Sequence, residues 1–229
     1  MSIKENLLDF QEKLKGSHCQ LIAVSKTHPV ELIKEAYEAG QRAFGENKAQ
    51  EMKAKQPDLP ADVEWHMIGH LQTNKVKYIA PYVHLIQSVD SLKLLQEINR
   101  QAQKHDRVIN CLLQFFIAEE ESKFGLDVQE AQALLRSDEY QALAHVRICG
   151  VMGVATNTQD QAQLQREFKS LKNIFETLKQ EFFPQAHHFR EISMGMSSDY
   201  QLAIAEGSTM IRVGSAIFGY REYSATVTL

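Results

Sequence analysis

The sequence predicts an α/β protein, a single (β/α)8 TIM barrel spanning residues 1–229, and three observations predict it. Short apolar runs alternate with amphipathic stretches roughly eight times along the chain. The first run, from Leu21 to Val24, is apolar on successive residues, as expected of a strand covered on both faces of a parallel sheet. The 229 residues fall slightly below the ~250 usual for such a barrel. Alternation alone does not show closure, so a doubly wound open sheet is the competing arrangement. No linker, low-complexity stretch or short-period repeat divides the chain.

Each element has its own local reason. Residues 2–15 place Ile3, Leu7, Leu8, Phe10 and Leu14 at helical spacing, and Gly16 ends that helix. The first strand begins at Leu21 and runs up to Lys26. Pro29 opens a helix over 30–39 that stops at Gly40. Ala43, Phe44 and Gly45 form a short strand, followed by Glu46, Asn47 and a polar helix, with Pro57 and Pro60 punctuating the next loop. Residues 64–69 read as a third strand, and 70–75 lead into a helix. The fourth strand covers 83–89, and Asp90 or Ser91 can cap the helix that runs to about Lys104. The fifth strand covers 109–118, followed by an acidic loop over 119–125 and a helix capped by Asp127. The sixth strand covers 146–152, and a long helix over 160–183 is ended by Pro184. The seventh strand covers 189–193, after which Gly195, Met196 and Ser197 turn into a helix ending near Gly207. The eighth covers 209–213, and Gly214 and Ser215 open a last helical turn.

Composition bounds the function. The chain is 44% hydrophobic and 24% charged with a net charge of −4, an ordinary globular balance. It lacks the basic face that would read as a nucleic-acid or anionic-membrane partner surface. Cys19, Cys111 and Cys149 lie in or beside strands with no CxxC or metal spacing, and read as buried thiols in a reducing compartment. The first sixteen residues carry charges throughout, so they form neither a signal peptide nor a membrane span. A cytoplasmic monomer is expected.

The chemistry is expected at the carboxyl ends of the strands, where α/β folds bind ligands. Lys26 ends the first strand there. A lysine in that setting loses its proton more easily than a solvated one, and a neutral amine is what Schiff-base chemistry needs. The plainer reading is a lysine that caps the strand and reaches to solvent. Closure would bring the eighth strand beside the first, gathering Lys26, the 193–197 turn and the 212–215 turn. Loops after strands seven and eight of such barrels commonly hold a phosphate. Gly195 and Gly214 let backbone approach an anion, Ser197 and Ser215 offer hydroxyls, and Arg212 adds a permanent cation. Arg212 could equally be an ion-pair partner inside the barrel. A ligand with a phosphate at one end and an aldehyde at the other satisfies both demands, and pyridoxal 5′-phosphate (PLP) is such a ligand.

The stretches AVSKTHP (23–29), FGENKAQE (44–51), WHMIGHLQTNK (65–75), SKFGL (122–126), GVMGVAT (150–156) and EISMGMSSDYQLAIAEGSTMIRVGSAIFG (191–219) span nearly the whole chain. On these the chain resembles the YggS/PROSC family of pyridoxal phosphate homeostasis proteins. The resemblance implies a barrel similar to the N-terminal domain of alanine racemases, with Lys26 carrying the cofactor as an internal aldimine. It implies Ser197, Gly214 and Ser215 near the phosphate, Asn47 close to the ring and Met194 against the ring face. Arg212 would lie near the cofactor, at either the phosphate or the ring nitrogen. After the fifth strand the family has a small polar pair where this chain has Phe115 and Phe116.

The resemblance implies a non-catalytic carrier that holds PLP and releases it to apo-enzymes. The alternative is a small amino-acid racemase-like enzyme using Lys26 as base. Only about ten residues (220–229) are expected after the barrel, too few for the second domain that gives alanine racemases their catalytic tyrosine. A phosphate-sugar barrel with a Schiff-base lysine would need an acid near Lys26, for which Glu46 is the candidate. His66 and His70 are four apart but fall in a strand and after Gly69, so a helical metal pair is not expected and no metal is assigned. His187, His188, the acidic run from Glu119 to Glu121, Tyr220 and Tyr223 read as solvated or packing residues.

Overall fold

The computed structural model describes residues 2–119 and 124–219. Tyr220, Tyr223 and most of the acidic loop lie outside the described residues. The eight strands close into a barrel in sequence order, all neighbours parallel. They are β1 (Gln20–Val24), β2 (Ala43–Glu46), β3 (Glu64–Met67), β4 (Leu85–Val89), β5 (Ile109–Phe115), β6 (Val146–Gly153), β7 (Glu191–Ser193) and β8 (Met210–Val213). Closure is made by β1 on β8, with Ile22 opposite Arg212 and Ala23 opposite Val213. The open-sheet alternative is thereby excluded.

The helices are α1 (Ile3–Leu14), α2 (Val30–Glu38), α3 (Ala49–Lys55), α4 (Leu92–Lys104), α5 (Val128–Arg136), α6 (Asp138–Gln141), α7 (Gln161–Phe182), α8 (Tyr200–Ala205) and α9 (Ser215–Phe218). Local chemistry sets several of their starts. Ser2 and Glu5 form a reciprocal capping box on α1, and Asp127 and Glu130 form one on α5. Ser91, not Asp90, caps α4 by accepting the Leu94 N–H. Asp160 accepts the N–H groups of Ala162 and Gln163 to start α7. The link after β3 is a 3-10 helix, Thr73–Tyr78, where the sequence suggested an ordinary helix. β5 stops at Phe115, three residues short of the predicted end, because Phe116 and Ile117 have already left the barrel ladder.

Two apolar layers hold the fold. A large outer cluster joins the backs of the strands to the helices, with Trp65, Phe44, Phe168 and Phe189 among its most buried members. A small inner cluster fills the barrel with Ile22, Ala43, Leu85, Leu112, Cys149, Met152 and Met210. Beside the inner apolar side chains the interior is polar: His66, Gln87, Ser193 and Arg212 are all buried. They form one hydrogen-bonded column. Arg212 Nη1 donates to Ser193 Oγ (2.6 Å), Ser193 Oγ donates to Gln87 Oε1 (2.6 Å), and Gln87 Nε2 lies 3.0 Å from His66 Nδ1. Among the described residues, no helix is long and apolar enough to cross a membrane.

Candidate functional site

All eight strands point the same way, so residues remote in sequence meet at one mouth. A cavity of about 530 Å³ opens there, its wall including Lys26, Asn47, Ser197, Arg212, Gly214 and Ser215. Six of the seven site residues expected from the sequence are therefore brought together. The seventh, Met194, is not in that wall. It is fully buried in the outer cluster with Ala203 and Ile211. The cause is the two-residue period of a strand: Ser193 points into the barrel toward Arg212, so Met194 points to the helices. Met196, two residues on, lines the cavity instead.

Lys26 is half-buried, two residues past the end of β1. Ser25 continues the ladder through its N–H to the Gly45 carbonyl (3.0 Å). A buried ion cluster then holds the segment from behind. Lys55 Nζ donates to Glu46 Oε1 (2.7 Å), Glu51 Oε1 (2.7 Å) and the Ser25 carbonyl (2.9 Å). Ser25 Oγ donates to Glu46 Oε1 (2.7 Å), and the Thr27 N–H donates to Glu51 Oε1. Thr27 sits at φ 68, a left-handed conformation that a β-branched residue adopts only when its surroundings impose it. Burial pushes the Glu46 carboxyl up, and Lys55 and Ser25 pull it back only in part. Burial also pushes Glu51 up, but the hydrogen bonds from Lys55 and Thr27 outweigh it and hold this carboxyl below its ordinary value. Glu46, the candidate acid beside Lys26, is thus committed to Lys55 and Ser25 rather than to the cavity.

The opposite wall is made by two turns. Gly195 lies at φ 94, and a Cβ there would come within 2.5 Å of Ala203 Cβ, so the turn needs glycine. The Met196 N–H donates to Asp199 Oδ1 (2.6 Å), which fixes the loop that presents Ser197. Ser197 Oγ lies 3.4 Å from both the Gly214 nitrogen and Ser215 Oγ. Those distances are long for hydrogen bonds, so three donors are grouped with only weak bonds among themselves. That grouping suits an oxyanion.

Arg212 is set differently. Its Nη1 bonds Ser193 Oγ and its Nη2 bonds the Gly153 carbonyl (2.9 Å), which ties the guanidinium to β6 and β7. Burial pulls its pKa down to about 10, with Asp199 acting the other way, so it remains a cation at neutral pH. Asn47 is packed so tightly that a Cβ on Gly69 would lie 2.5 Å from its carbonyl oxygen. His28, also in the wall, stacks on Phe218 at 4.9 Å.

Other sequence candidates fall elsewhere. Phe115 is buried in the outer cluster, whereas Phe116 is exposed beyond the strand. His70 pairs with Asp90 (3.2 Å) and stacks on Phe124 (4.4 Å), remote in role from His66 inside the barrel. Lys55 and Glu51 are the positioning residues that sequence reasoning missed. A Lys and a Glu four apart on a polar helix read as a surface pair, and only closure of the β1–β2 edge buries them.

Comparison with known proteins fits this geometry. The alanine racemase N-terminal domain family matches residues 1–222. A pyridoxal phosphate homeostasis protein of Pasteurella multocida is 39% identical, over 98% of this chain and 100% of the relative. The chain belongs to the pyridoxal phosphate homeostasis protein family. A fungal member, from Schizosaccharomyces pombe, is 38% identical over 92% of this chain and 88% of its own. PipY of Synechococcus elongatus, solved with PLP bound, superposes with a TM-score of 0.85 at 40% identity, covering 95% of this chain and 100% of PipY. Alanine racemase from Clostridium difficile shares the fold, with a TM-score of 0.77 at 14% identity over 97% of this chain and 61% of the racemase.

Proposed function

We propose that this family member binds PLP at the carboxyl mouth of the barrel, with Lys26 as the amine that takes its aldehyde, and serves PLP homeostasis by holding the cofactor and supplying it to apo-enzymes. One observation carries the reading: Lys26 and the three donors of Ser197, Gly214 and Ser215 open onto a single cavity of about 530 Å³. The cavity suits a drug-sized ligand, and its donor set suits an aldehyde and a phosphate held at separate points. PipY, which shares 40% of its residues with this chain, has been solved with PLP bound.

When bound, PLP supplies an aldehyde that bonds reversibly to an amine, and a ring that withdraws electrons. The chain's own residues then divide the work. Ser197, Ser215 and the Gly214 N–H hold the phosphate; Gly195 shapes the turn that presents them. The Lys55 cluster positions the Ser25–Thr27 segment and hence the Lys26 amine. Asn47 lies beside the ring, with Met196 rather than Met194 as the nearby thioether. Arg212, tied to β6 and β7, would be the cation offered to the ring nitrogen. A buried cation in that position would disfavour protonation of the nitrogen and weaken electron withdrawal, which would favour storage over turnover.

The test is the visible absorption spectrum of the purified protein with PLP, before and after borohydride reduction, with peptide mass mapping. An absorbing adduct that reduction fixes on the Lys26 peptide is expected. A protein that stays colourless with added PLP overturns the reading. Incubation with a panel of L- and D-amino acids tests the carrier role separately, and turnover well above that of free PLP would replace it with an enzyme.

A further inference from the structure

The opposite end of the barrel carries a second constellation. Glu64 and His66 are two apart on β3 and therefore face the same side, into the barrel. His84 stands just before β4, its N–H bonded to the Trp65 carbonyl (2.9 Å), so parallel pairing sets it beside them. The ring of His84 lies over that of His66, with centroids 5.5 Å apart. One ligand atom from each of Glu64, His66 and His84 falls within 4.8 Å of the other two. His66 is only 1% exposed, and its Nε2 has no hydrogen-bond partner among the described residues. A buried ring nitrogen without a partner, on a histidine beside two other ligating groups, requires an explanation.

We propose that Glu64, His66 and His84 form a binding site for a divalent first-row transition metal, Zn²⁺ foremost, at the amino-terminal mouth of the barrel. Two imidazoles and one carboxylate are a donor set that such ions take, with a fourth position left to solvent. Bonds of ~2.1 Å in a tetrahedral site put ligand atoms roughly 3.4 Å apart, so the set must tighten by about an ångström. Glu64 and His84 can supply that movement, since His84 is exposed and Glu64 half-exposed, while His66 is the fixed ligand. Glu64 is otherwise engaged only weakly, at 3.3 Å from Gln20 Nε2. The nearby Arg190 is already occupied by Glu191 (3.0 Å).

The supporting shell is present as well. Metal-bound histidines donate their other ring N–H to a fixed acceptor. His66 Nδ1 already faces the Gln87 amide at 3.0 Å. Metal on Nε2 moves the proton to Nδ1, and a half-turn of that amide offers Oε1 to it. Ser193 Oγ has two lone pairs and accepts from Gln87 Nε2 and Arg212 together. The site was invisible to the search for helical His pairs because its spacing is that of a strand and its third ligand comes from the next strand.

The test uses the full-length, metal-free protein titrated with Co²⁺, followed by displacement with Zn²⁺. Binding of one equivalent, with four-coordinate Co²⁺ absorption bands, is expected. His84→Ala and Glu64→Gln, both at accessible positions, should each weaken binding at least tenfold. His187→Ala combined with His188→Ala, in the same mouth but outside the set, should leave it unchanged. In ¹⁵N-histidine spectra Zn²⁺ should move the His66 proton from Nε2 to Nδ1. Absence of binding, binding carried by His187 and His188, or an unmoved His66 proton would each overturn the proposal.

Discussion

Lys26 and Lys55 stand on either side of the same turn, and the chain uses them oppositely. Lys26 is half-buried at the cavity wall, so truncating it removes little packing. Lys26→Ala should lose the borohydride-fixable adduct completely, retain weaker phosphate-anchored PLP binding in equilibrium dialysis, and shift folding stability by no more than about 0.5 kcal/mol. Loss of all binding would show that the serine turn is no independent anchor. Lys55 is the reverse case. It is buried, and it supplies a cation to the fully buried Glu46. Lys55→Met should cost about 3–5 kcal/mol in urea denaturation, since it strands a buried carboxylate. It should also slow adduct formation at an intact Lys26, because the Ser25–Thr27 segment loses its anchor. The two lysines show what is legible at this scale. Lys26 is readable because it ends an apolar run before Thr-His-Pro. Lys55 is not, because its partners come from Glu46 and Ser25 on other elements. Met194 misleads for a different reason: its place against the ring came from the family resemblance, whereas Ser193 is the residue that points into the barrel.

At the scale of elements, the carboxyl mouth needs its loops fixed as well as its strands. Glu167 on α7 does this for the loop after β6. It accepts the Thr156 N–H (2.6 Å), Thr156 Oγ1 (2.6 Å), the Glu119 N–H (3.1 Å) and Gln163 Nε2 (3.1 Å). Burial pushes its carboxyl up, but these donors outweigh it and the pKa falls below 4.5. The folded state therefore holds the carboxylate more strongly than the unfolded chain does. Its contribution is fully present above the ordinary glutamate range and is lost as pH falls through the lowered folded value. Glu167→Gln should destabilise by about 1–3 kcal/mol at neutral pH, and the gap from the parent should narrow below pH 4.5. Urea midpoints measured across that range check both; a gap that widens in acid contradicts the account. The elements themselves were legible because each carries its signal locally: eight apolar runs, Gly and Pro stops, and the Asp127 cap. The end of β5 was not, since the apolar pattern continues through Ile117 and Ala118 after the ladder has ended.

Across the whole molecule, closure seals the interior and then threads it. Cys19, Cys111 and Cys149 are free and buried. Burial pushes Cys19 and Cys149 up to about 11, and Cys111 further still. A thiol reagent at neutral pH should label none of the three until denaturant is added, and labelling should follow unfolding. The polar column from Arg212 through Ser193 and Gln87 to His66 links the two mouths through the same interior. His66, held neutral by burial and by His84 with its pKa near 3, ends the column as an uncharged ring. Gln87 joins Ser193 to His66, so it decides whether the column reaches that ring. Gln87→Met keeps the volume and removes both bonds, leaving the Ser193 O–H donor and His66 Nδ1 without partners inside the barrel, while Ser193 Oγ still accepts from Arg212. That should cost about 2–4 kcal/mol in urea denaturation, from two buried groups at ~1–3 kcal/mol each with partial relaxation. It should also free the Arg212 guanidinium to shift, weakening PLP binding several-fold while Lys26 still forms the reducible adduct. A variant as stable as the parent, binding PLP equally well, would mean the column is packing alone and that the two mouths act independently.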